Sequence, residues 1–394
     1  MTARGRNGAA WSAPPSPIDT RSRLPPKLKE IAMTILTDAA GTLASPSSAT
    51  LTQAFYTICP VLVASNIAVE FGWLDEEFKR AGASATYLRS LAGNAGWLPH
   101  YRHSLNPLFR DGGAIPTIWA KADLTDTTLI ATTATQSGGQ IVVRSDTDLY
   151  RIEDLRGKRI GLGISSNPER IDFSRASAHF GLHQALKLGG LALADVEIID
   201  LQQAADAPQL QPAAQPVELW SQLKALGREH DDPEVQALRD GRVDAIHSSL
   251  ARTRKLVASG QFKVILDLST QADWTLQIAN GPYTNAVNTD FAKAHPEVVI
   301  AFLRASIRAG RWINANRAAA AEIFPRVTFL PNAQVAAHAI AQHDFVPALP
   351  AQNLKGLEIK KNFLRTHGYI QNDFDIQQWA DDSYLAEALR SLKE

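Results

Sequence analysis

One residue dominates the chemistry that this sequence offers: Cys59, the only cysteine among 394 residues. It stands in the stretch FYTICPVLVASNIAVEFG, where Pro60 suits the first position of a helix because its missing N–H has no helical partner there. We therefore expect Cys59 to cap the N-terminus of an apolar helix, where the helix dipole favours a thiolate. The alternative is a small buried hydrophobic residue, since unpaired cysteines are among the most buried residue types.

A second group of reactive side chains lies in the stretch HYRHSLNPLFRDGG, which runs from His100 to Gly113. Arg110 carries a planar set of donors that matches an anion with two oxygens. His100 could orient or deprotonate a thiol, because cysteine and histidine form the usual activated-thiol pair. The two glycines at its end permit a close approach of the backbone. Each also has an ordinary interpretation: a solvated helix arginine, a loop histidine and a plain turn.

Three other motifs are weaker evidence for a functional site. His100 and His103 have no local carboxylate or thiolate partners, so we expect no metal site. The glycines in the run GLG at 161–163 lack the third glycine of a dinucleotide-binding motif, and we expect no dinucleotide. Ser165, together with the N-terminus of the helix that follows it, is a candidate site for an anion.

These residues must be positioned by alternating strands and helices, which is typical of an α/β fold. We expect a strand at 51–56 that leads into the Cys59 helix, a second strand at 83–90, and a helix at 107–121 that carries Arg110. Further strands are predicted at 128–133, 140–144, 158–163, 196–201, 243–248 and 262–268, mostly in parallel pairs. A turn at 136–139 and the segment 276–282 are predicted crossings between two lobes.

The composition limits the class of protein. A chain of 394 residues is long enough for two lobes with a cleft between them. With 45% hydrophobic residues, 20% charged residues and a formal net charge of zero, it is expected to be a soluble protein that binds neither nucleic acid nor membrane. A single cysteine excludes an internal disulfide and is compatible with the cytoplasm. Residues 1–47 are expected to form a disordered leader, since the first 32 are rich in Pro, Ser and Arg. They contain no apolar segment of the kind that a secretory signal requires.

Several longer runs carry a family resemblance. The runs YTICPVLVASNIAVEFGWLD, WLPHYRHSLNPLFRDGGAIPTIW, LRGKRIGLGIS and QNDFDIQQWADDSYL resemble the desulfinase of dibenzothiophene desulfurisation, which acts on 2-(2'-hydroxyphenyl)benzenesulfinate. The resemblance covers nearly everything after about residue 48. More broadly, LRGKRIGLG and DGRVDAI resemble the type II periplasmic-binding-protein scaffold of sulfonate and taurine binding proteins.

The resemblance implies a role for each matching residue. Cys59 matches the essential thiol, His100 the histidine that supports it, Arg110 the arginine that holds the sulfinate, and Gly113 the glycine whose backbone completes the anion site. Thr57 keeps the hydroxyl that the family has two positions before the thiol. The interval from Cys59 to His100 is longer than in the family, which implies a loop insertion.

The implied substrate pocket includes two more residues. His103 falls near the family's tyrosine and is expected, like Thr57, to contact the substrate. Ser165 is expected to contact the substrate from the second lobe.

We therefore expect an α/β protein with a two-lobe type II periplasmic-binding-protein-like fold and an interlobe cleft, with lobe I formed by 48–138 and 279–394 and lobe II by 139–278. The resemblance implies a cofactor-free cytoplasmic monomer that hydrolyses an aryl sulfinate, 2'-hydroxybiphenyl-2-sulfinate or a related compound, to the arene and sulfite. Cys59 acts either as a nucleophile or as a proton donor. The alternative is a non-catalytic binding protein of a sulfonate/taurine-type ABC transporter.

Overall fold

The computed structural model describes residues 51–133, 138–203, 210–225, 232–279 and 281–392. The predicted leader at 1–47 and residues 136 and 137 of the predicted turn lie outside these ranges. No helix in the described ranges is long and apolar enough to cross a bilayer.

Strands occur close to most of the places where the alternation predicts them. The described strands are β1 (Thr52–Ile58), β2 (Ala83–Tyr87), β3 (Leu108–Gly113), β4 (Thr127–Thr133), β5 (Gln140–Arg144), β6 (Arg159–Ser165), β7 (Glu197–Gln203), β8 (Ala245–Ser248), β9 (Phe262–Asp267) and β10 (Tyr283–Asn288). They form two five-stranded sheets, with the orders β2-β1-β3-β10-β4 and β7-β6-β8-β5-β9.

Helices fill the connections and the C-terminal third. They are α1 (Ala64–Glu70), α2 (Trp73–Arg80), α3 (Trp97–Arg102), α4 (Ala114–Trp119), α5 (Phe173–Leu188), α6 (Pro216–Ala225), α7 (Pro233–Arg239), α8 (Leu250–Ala258), α9 (Thr289–Ala294), α10 (Pro296–Ala315), α11 (Arg317–Val327), α12 (Ala333–Ile340), α13 (Ala351–Thr366), α14 (Ile376–Trp379) and α15 (Ser383–Ser391). The fold is therefore the expected α/β class.

The pairing of the strands is mixed, so the expectation of mostly parallel pairs is wrong for the described strands. Parallel pairs join β1 to β2 and β3, and β6 to β7 and β8. The antiparallel pairs each contain β10 or β5, which are the first strands after the chain passes from one sheet to the other. A crossover helix between two strands of one sheet makes those strands run parallel. β5 and β10 each follow a strand of the other sheet, so no such helix sets their direction.

The chain thus builds one sheet from β1 to β4, the other from β5 to β9, and returns to the first with β10. The lobe boundaries given above stay a prediction. Helix α10 contacts β3 of the first sheet, and His295 caps it with Pro296 at its first position, as the sequence predicts. From this helix Phe302 stacks on Phe109 of β3 with 4.8 Å between the ring centroids.

Two local predictions around the reactive residues are wrong. Cys59 does not cap a helix: α1 begins at Ala64, and its N-cap is Val63. The link between β1 and α1 stays non-helical because its backbone is bonded elsewhere. The Cys59 N–H donates to the carbonyl of Asp111 at 2.9 Å, and the Asn66 side chain donates to the carbonyls of Cys59 and Val61.

The helix predicted at 107–121 is instead β3, then α4, then a single π-helical turn at Ala120–Leu124. Residues 108–112 are all buried, since β3 lies between β1 and β10 in the sheet. Pairing on both sides outweighs the helical preference of the local sequence. Arg110 is consequently a buried strand residue and not a solvated helix residue.

Candidate active site

The reactive residues meet where β1 and β3 end. These strands are parallel and in register, with Thr57 opposite Arg110, so their carboxyl ends share one edge of the sheet. Cys59 directly follows β1, and Gly113 is the last residue of β3. Helix α3 supplies His100 from the connection between β2 and β3. The structure therefore brings together five of the seven predicted site residues.

The thiol of Cys59 faces the imidazole of His100. Their Sγ and Nε2 atoms are 3.6 Å apart, and the other ring nitrogen, Nδ1, lies 2.7 Å from Oγ1 of Thr57. The thiol is partly exposed, whereas His100 and Thr57 are buried. Burial, assisted by the charges of nearby arginines that include Arg110, lowers the pKa of His100 well below its ordinary value. The imidazole is therefore neutral at neutral pH, with Thr57 fixing its ring.

Arg110 is held from three sides and is only 1% exposed. Its Nε donates to the carbonyl of His100 at 2.8 Å, and its Nη1 donates to the carbonyl of Gly113 at 3.0 Å and to Oγ1 of Thr117 at 2.6 Å. Only Nη2 points elsewhere, and it lies 3.6 Å from the sulfur of Cys59. Arg110 can therefore donate to a ligand through Nη2, beside the thiol. It cannot make the bidentate contact with two nitrogens that the sequence suggests.

The two glycines of the RDGG run differ in their surroundings. A Cβ at Gly112, whose φ is +152°, would lie 2.3 Å from the sulfur of Cys59, so only glycine lets the strand pass this close to the thiol. A Cβ at Gly113 would meet nothing within 4 Å. The space beside Gly113 is thus open, on the same strand end that carries Arg110.

His103 and Ser165 lie apart from this hydrogen-bonded group. His103 is fully buried with its Nε2 2.8 Å from the carbonyl of Leu108, and burial lowers its pKa to about 3. Ser165 ends β6 in the other sheet, where its N–H donates to the carboxylate of Asp172 at 2.6 Å. Asp172 also accepts from the N–H of Arg175, so it occupies the helix N-terminus that we predicted for an anion.

Sequence reasoning missed Asp111 as part of this site. Its carbonyl accepts the Cys59 N–H, and its carboxylate accepts the hydroxyl of Ser65 at 2.5 Å. Burial raises the pKa of this carboxyl to about 6. Nothing in the RDGG run distinguishes Asp111 from a turn aspartate; only the register of β1 with β3 reveals its position. Within the described residues, no group of three or more His, Cys, Asp or Glu side chains is arranged to hold a metal ion.

The fold and the edge position of the site define the class: an α/β protein of the two-lobe, type II periplasmic-binding-protein-like kind. The solved sulfonate-binding protein SsuA of Methylobacillus flagellatus KT superposes with a TM-score of 0.61 at 19% identity, covering 87% of this chain and 96% of that one. SsuA of Escherichia coli superposes with a TM-score of 0.56 at 14% identity, covering 83% of this chain and 91% of that one. These likenesses concern the fold alone.

Among curated proteins, the chain is homologous to enzymes named 2'-hydroxybiphenyl-2-sulfinate desulfinase from Rhodococcus erythropolis and Rhodococcus qingshengii. Each is 26% identical over 391 residues, covering 91% of this chain and 99% of the relative. A crystal structure of a cysteine-to-serine mutant of DSZB with biphenyl-2-sulfinic acid superposes with a TM-score of 0.65 at 24% identity, covering 86% of this chain and 99% of that chain. The predicted resemblance to the desulfinases is confirmed. No family model matches the chain.

Proposed function

We propose that this protein is a desulfinase that cleaves the carbon–sulfur bond of an aromatic sulfinate, 2'-hydroxybiphenyl-2-sulfinate or a related compound. The observation that carries the proposal is the contact of one thiol with both a neutral imidazole, at 3.6 Å, and an arginine nitrogen, also at 3.6 Å. The homology to enzymes named for this activity, along nearly the whole chain, supports the same substrate class.

The charges of the site favour an anion. Among the described residues no carboxylate forms an ion pair with Arg110, whose bonded acceptors are two carbonyls and a hydroxyl. A buried guanidinium whose hydrogen bonds go to neutral groups keeps most of its attraction for an anionic ligand. A sulfinate oxygen at Nη2 would place its sulfur next to the thiol, with the open side of Gly113 as room for the rest of the group.

The overall reaction adds water: the sulfinate and one water give the arene and hydrogen sulfite. In one route the thiolate attacks the sulfinate sulfur while the carbon–sulfur bond breaks, and the ring carbon takes up the proton that the thiol had given to His100. Water then hydrolyses the thiosulfonate-like Cys–S–SO2⁻ adduct to the free thiol and hydrogen sulfite. In the other route the thiol protonates the ring carbon that bears sulfur, the carbon–sulfur bond breaks, and water captures the released SO2. His100 serves either route, because a neutral imidazole can accept the thiol proton at Nε2 or donate to the thiolate from the same atom, depending on its tautomer.

The test is sulfite release from a panel of aryl and alkyl sulfinates by wild type and Cys59→Ser. Wild type should act on the aryl compounds, and the variant should lose about a hundredfold or more of the rate while still binding substrate, because it keeps the shape of the site and loses the thiol. Protein treated with iodoacetamide serves as a chemical control. Sulfite release by Cys59→Ser at close to the wild-type rate would refute the role of the thiol.

The competing function is that of a binding protein for a sulfonate-type transporter, which the likeness to SsuA supports at the level of the fold only. It predicts tight binding of an unchanged ligand and indifference to the loss of Cys59. The proposal further includes action as a cytoplasmic monomer, which size-exclusion chromatography and cell fractionation would test.

A further inference from the structure

Arg170 lies in the connection between β6 and α5 and contacts helix α3 of the candidate site. Its guanidinium carbon is 5.1 Å from the ring centroid of Tyr101 and 5.3 Å from that of Phe173. These two rings are nearly parallel, with centroids 5.8 Å apart. The arginine therefore belongs to an aromatic cluster in which α3 and the start of α5 meet.

The donors of Arg170 are mostly unused. Its Nε and Nη1 atoms are buried and have no hydrogen-bond partner among the described residues. Its Nη2 makes one long contact, 3.5 Å, with the hydroxyl of Ser165. A buried N–H without a partner costs free energy of folding, and a charged one costs more. An acceptor on a bound ligand is one way in which such donors are satisfied.

This cluster adjoins the reactive group directly. Tyr101 follows His100 in α3, and their rings meet edge to face with 4.8 Å between centroids. Trp97, one turn earlier in α3, lies 5.5 Å from the Tyr101 ring, so aromatic surface extends away from the thiol–imidazole pair. The charge of Arg170 is near enough to His100 to contribute to the lowering of that imidazole's pKa.

Arg110 cannot supply the donors for a second polar group of the ligand, because its Nε and Nη1 are already bonded within the protein. A substrate whose sulfinate lies at Nη2 of Arg110 would extend its aryl group along the neighbouring aromatic surface. Any oxygen substituent carried by that aryl group needs a donor from another part of the protein. Arg170 lies against the rings of Tyr101 and Phe173 and has two donors without a hydrogen-bond partner among the described residues.

We propose that Arg170 is a specificity-determining residue whose guanidinium donates to an oxygen substituent, a hydroxyl or phenolate, on the aryl group of the substrate. The proposal rests on the proposed desulfinase function and deepens it by assigning the part of the site that recognises the aryl group. Through Arg170, the loop after β6 contributes to a site otherwise built on the edge of the first sheet.

The experiment compares kcat/KM for 2'-hydroxybiphenyl-2-sulfinate and for biphenyl-2-sulfinate in wild type, Arg170→Met and Arg170→Lys. Wild type should prefer the hydroxylated compound, and Arg170→Met should lower that preference about tenfold, the loss expected for a charge-assisted hydrogen bond. Arg170→Lys keeps a charged donor without the planar group and should give an intermediate preference. Circular dichroism of each variant verifies the fold.

Arg102→Met is the matched control. Arg102 lies on helix α3 and donates from its Nε to the carbonyl of Glu169, the loop residue before Arg170, at 2.6 Å. It should leave the preference at the wild-type value, since its bond is to a backbone carbonyl of the loop, whereas the guanidinium that lies over the rings of Tyr101 and Phe173 is that of Arg170. An unchanged preference in Arg170→Met, no preference in wild type, or an equal loss in Arg102→Met would each overturn the proposal.

The same preference is measured as a ratio of Kd values in a Cys59→Ser background, which requires no turnover. Absence of sulfite release by wild type would refute the desulfinase function alone. The ratio of Kd values would then still decide the role of Arg170.

Discussion

The sulfur of Cys59 is positioned by backbone as much as by side chains. Its own N–H is bonded to the Asp111 carbonyl, its carbonyl accepts from Asn66, and the backbone of Gly112 passes against its side chain. His100 and Arg110 then contact the sulfur from the other directions at 3.6 Å each. The position of the thiol therefore depends on residues that carry no reactive group.

The two adjacent glycines provide a matched test of this dependence. Gly112→Ala would bring a methyl group to 2.3 Å from the sulfur at a φ of +152°, so we expect a loss of roughly 3 kcal/mol in the free energy of unfolding and a displaced thiol. Gly113→Ala has an ordinary φ of −54° and open space, and its stability should stay within about 0.5 kcal/mol of wild type. Urea unfolding and the rate of alkylation by iodoacetamide measure the two effects.

Equal stabilities and equal alkylation rates for Gly112→Ala and Gly113→Ala would contradict the predicted difference between the two glycines. If Gly112→Ala kept the wild-type alkylation rate, the contact between Gly112 and the sulfur would have no part in positioning the thiol. Loss of stability in Gly113→Ala would show that the space beside this residue is not open.

At the level of elements, the site depends on two connections that approach the edge of the first sheet: α3 before β3, and the loop after β6. Arg102 and Tyr101 of α3 contact Glu169 and Arg170 of that loop. The loop is fixed at its far end by Asp172, which accepts from the N–H groups of Ser165 and Arg175. Asp172 therefore joins the end of β6 to the start of α5.

Asp172→Ala should remove this junction. We expect a loss of about 1 kcal/mol, the usual contribution of an N-cap, together with a clear fall in kcat/KM because the loop that carries Arg170 loses its anchor. Asn332→Ala is the control, since Asn332 caps α12 through the N–H of Val335 and touches none of the site residues. Chemical denaturation and sulfite release are measured on both variants.

We expect both variants to lose a similar amount of stability, and only Asp172→Ala to show a lower kcat/KM. If both variants kept full activity at the same reduced stability, the loop would not need its cap to serve the site.

The order of elements could largely be predicted from the sequence, because alternating apolar runs set strands and helices in any α/β protein. The site could be predicted in part. Cys59 is the only cysteine of the chain, His100 and Arg110 lie ten positions apart, and the family resemblance assigns all three roles. Two predictions were wrong: that Cys59 caps a helix and that Arg110 lies on one. The pairing of β3 with β1 and β10 in the sheet overrides the local helical preference. The position of Arg170 depends on a contact between α3 and a loop of the other sheet, which no local pattern encodes.

For the molecule as a whole, buried histidines dominate the response to acid. Besides His100, burial lowers the pKa of His103 to about 3 and that of His247 to about 4. In the unfolded chain each histidine titrates near pH 6.5. Below that pH the unfolded state binds more protons than the folded state, so the free energy of unfolding falls as the pH falls. Asp111 acts in the opposite direction, since its raised pKa of about 6 lets the folded state bind a proton between pH 6 and 4.

We therefore expect stability to decline well above the range in which ordinary carboxylates titrate, by roughly 3 kcal/mol between pH 6 and 5. The three buried imidazoles, together with that of the half-buried His179, whose pKa burial lowers to about 4, outweigh the single carboxyl of Asp111. Urea unfolding at pH 7, 6 and 5 measures the decline. His247→Gln should flatten it, because His247 is 4% exposed and bonded to the carbonyl of Gly138. The control is His338→Gln, at an exposed position, which removes no buried imidazole and should leave the decline in place. A urea midpoint that stays constant down to pH 5 would mean that the buried imidazoles accept protons without unfolding, and that burial does not hold them neutral.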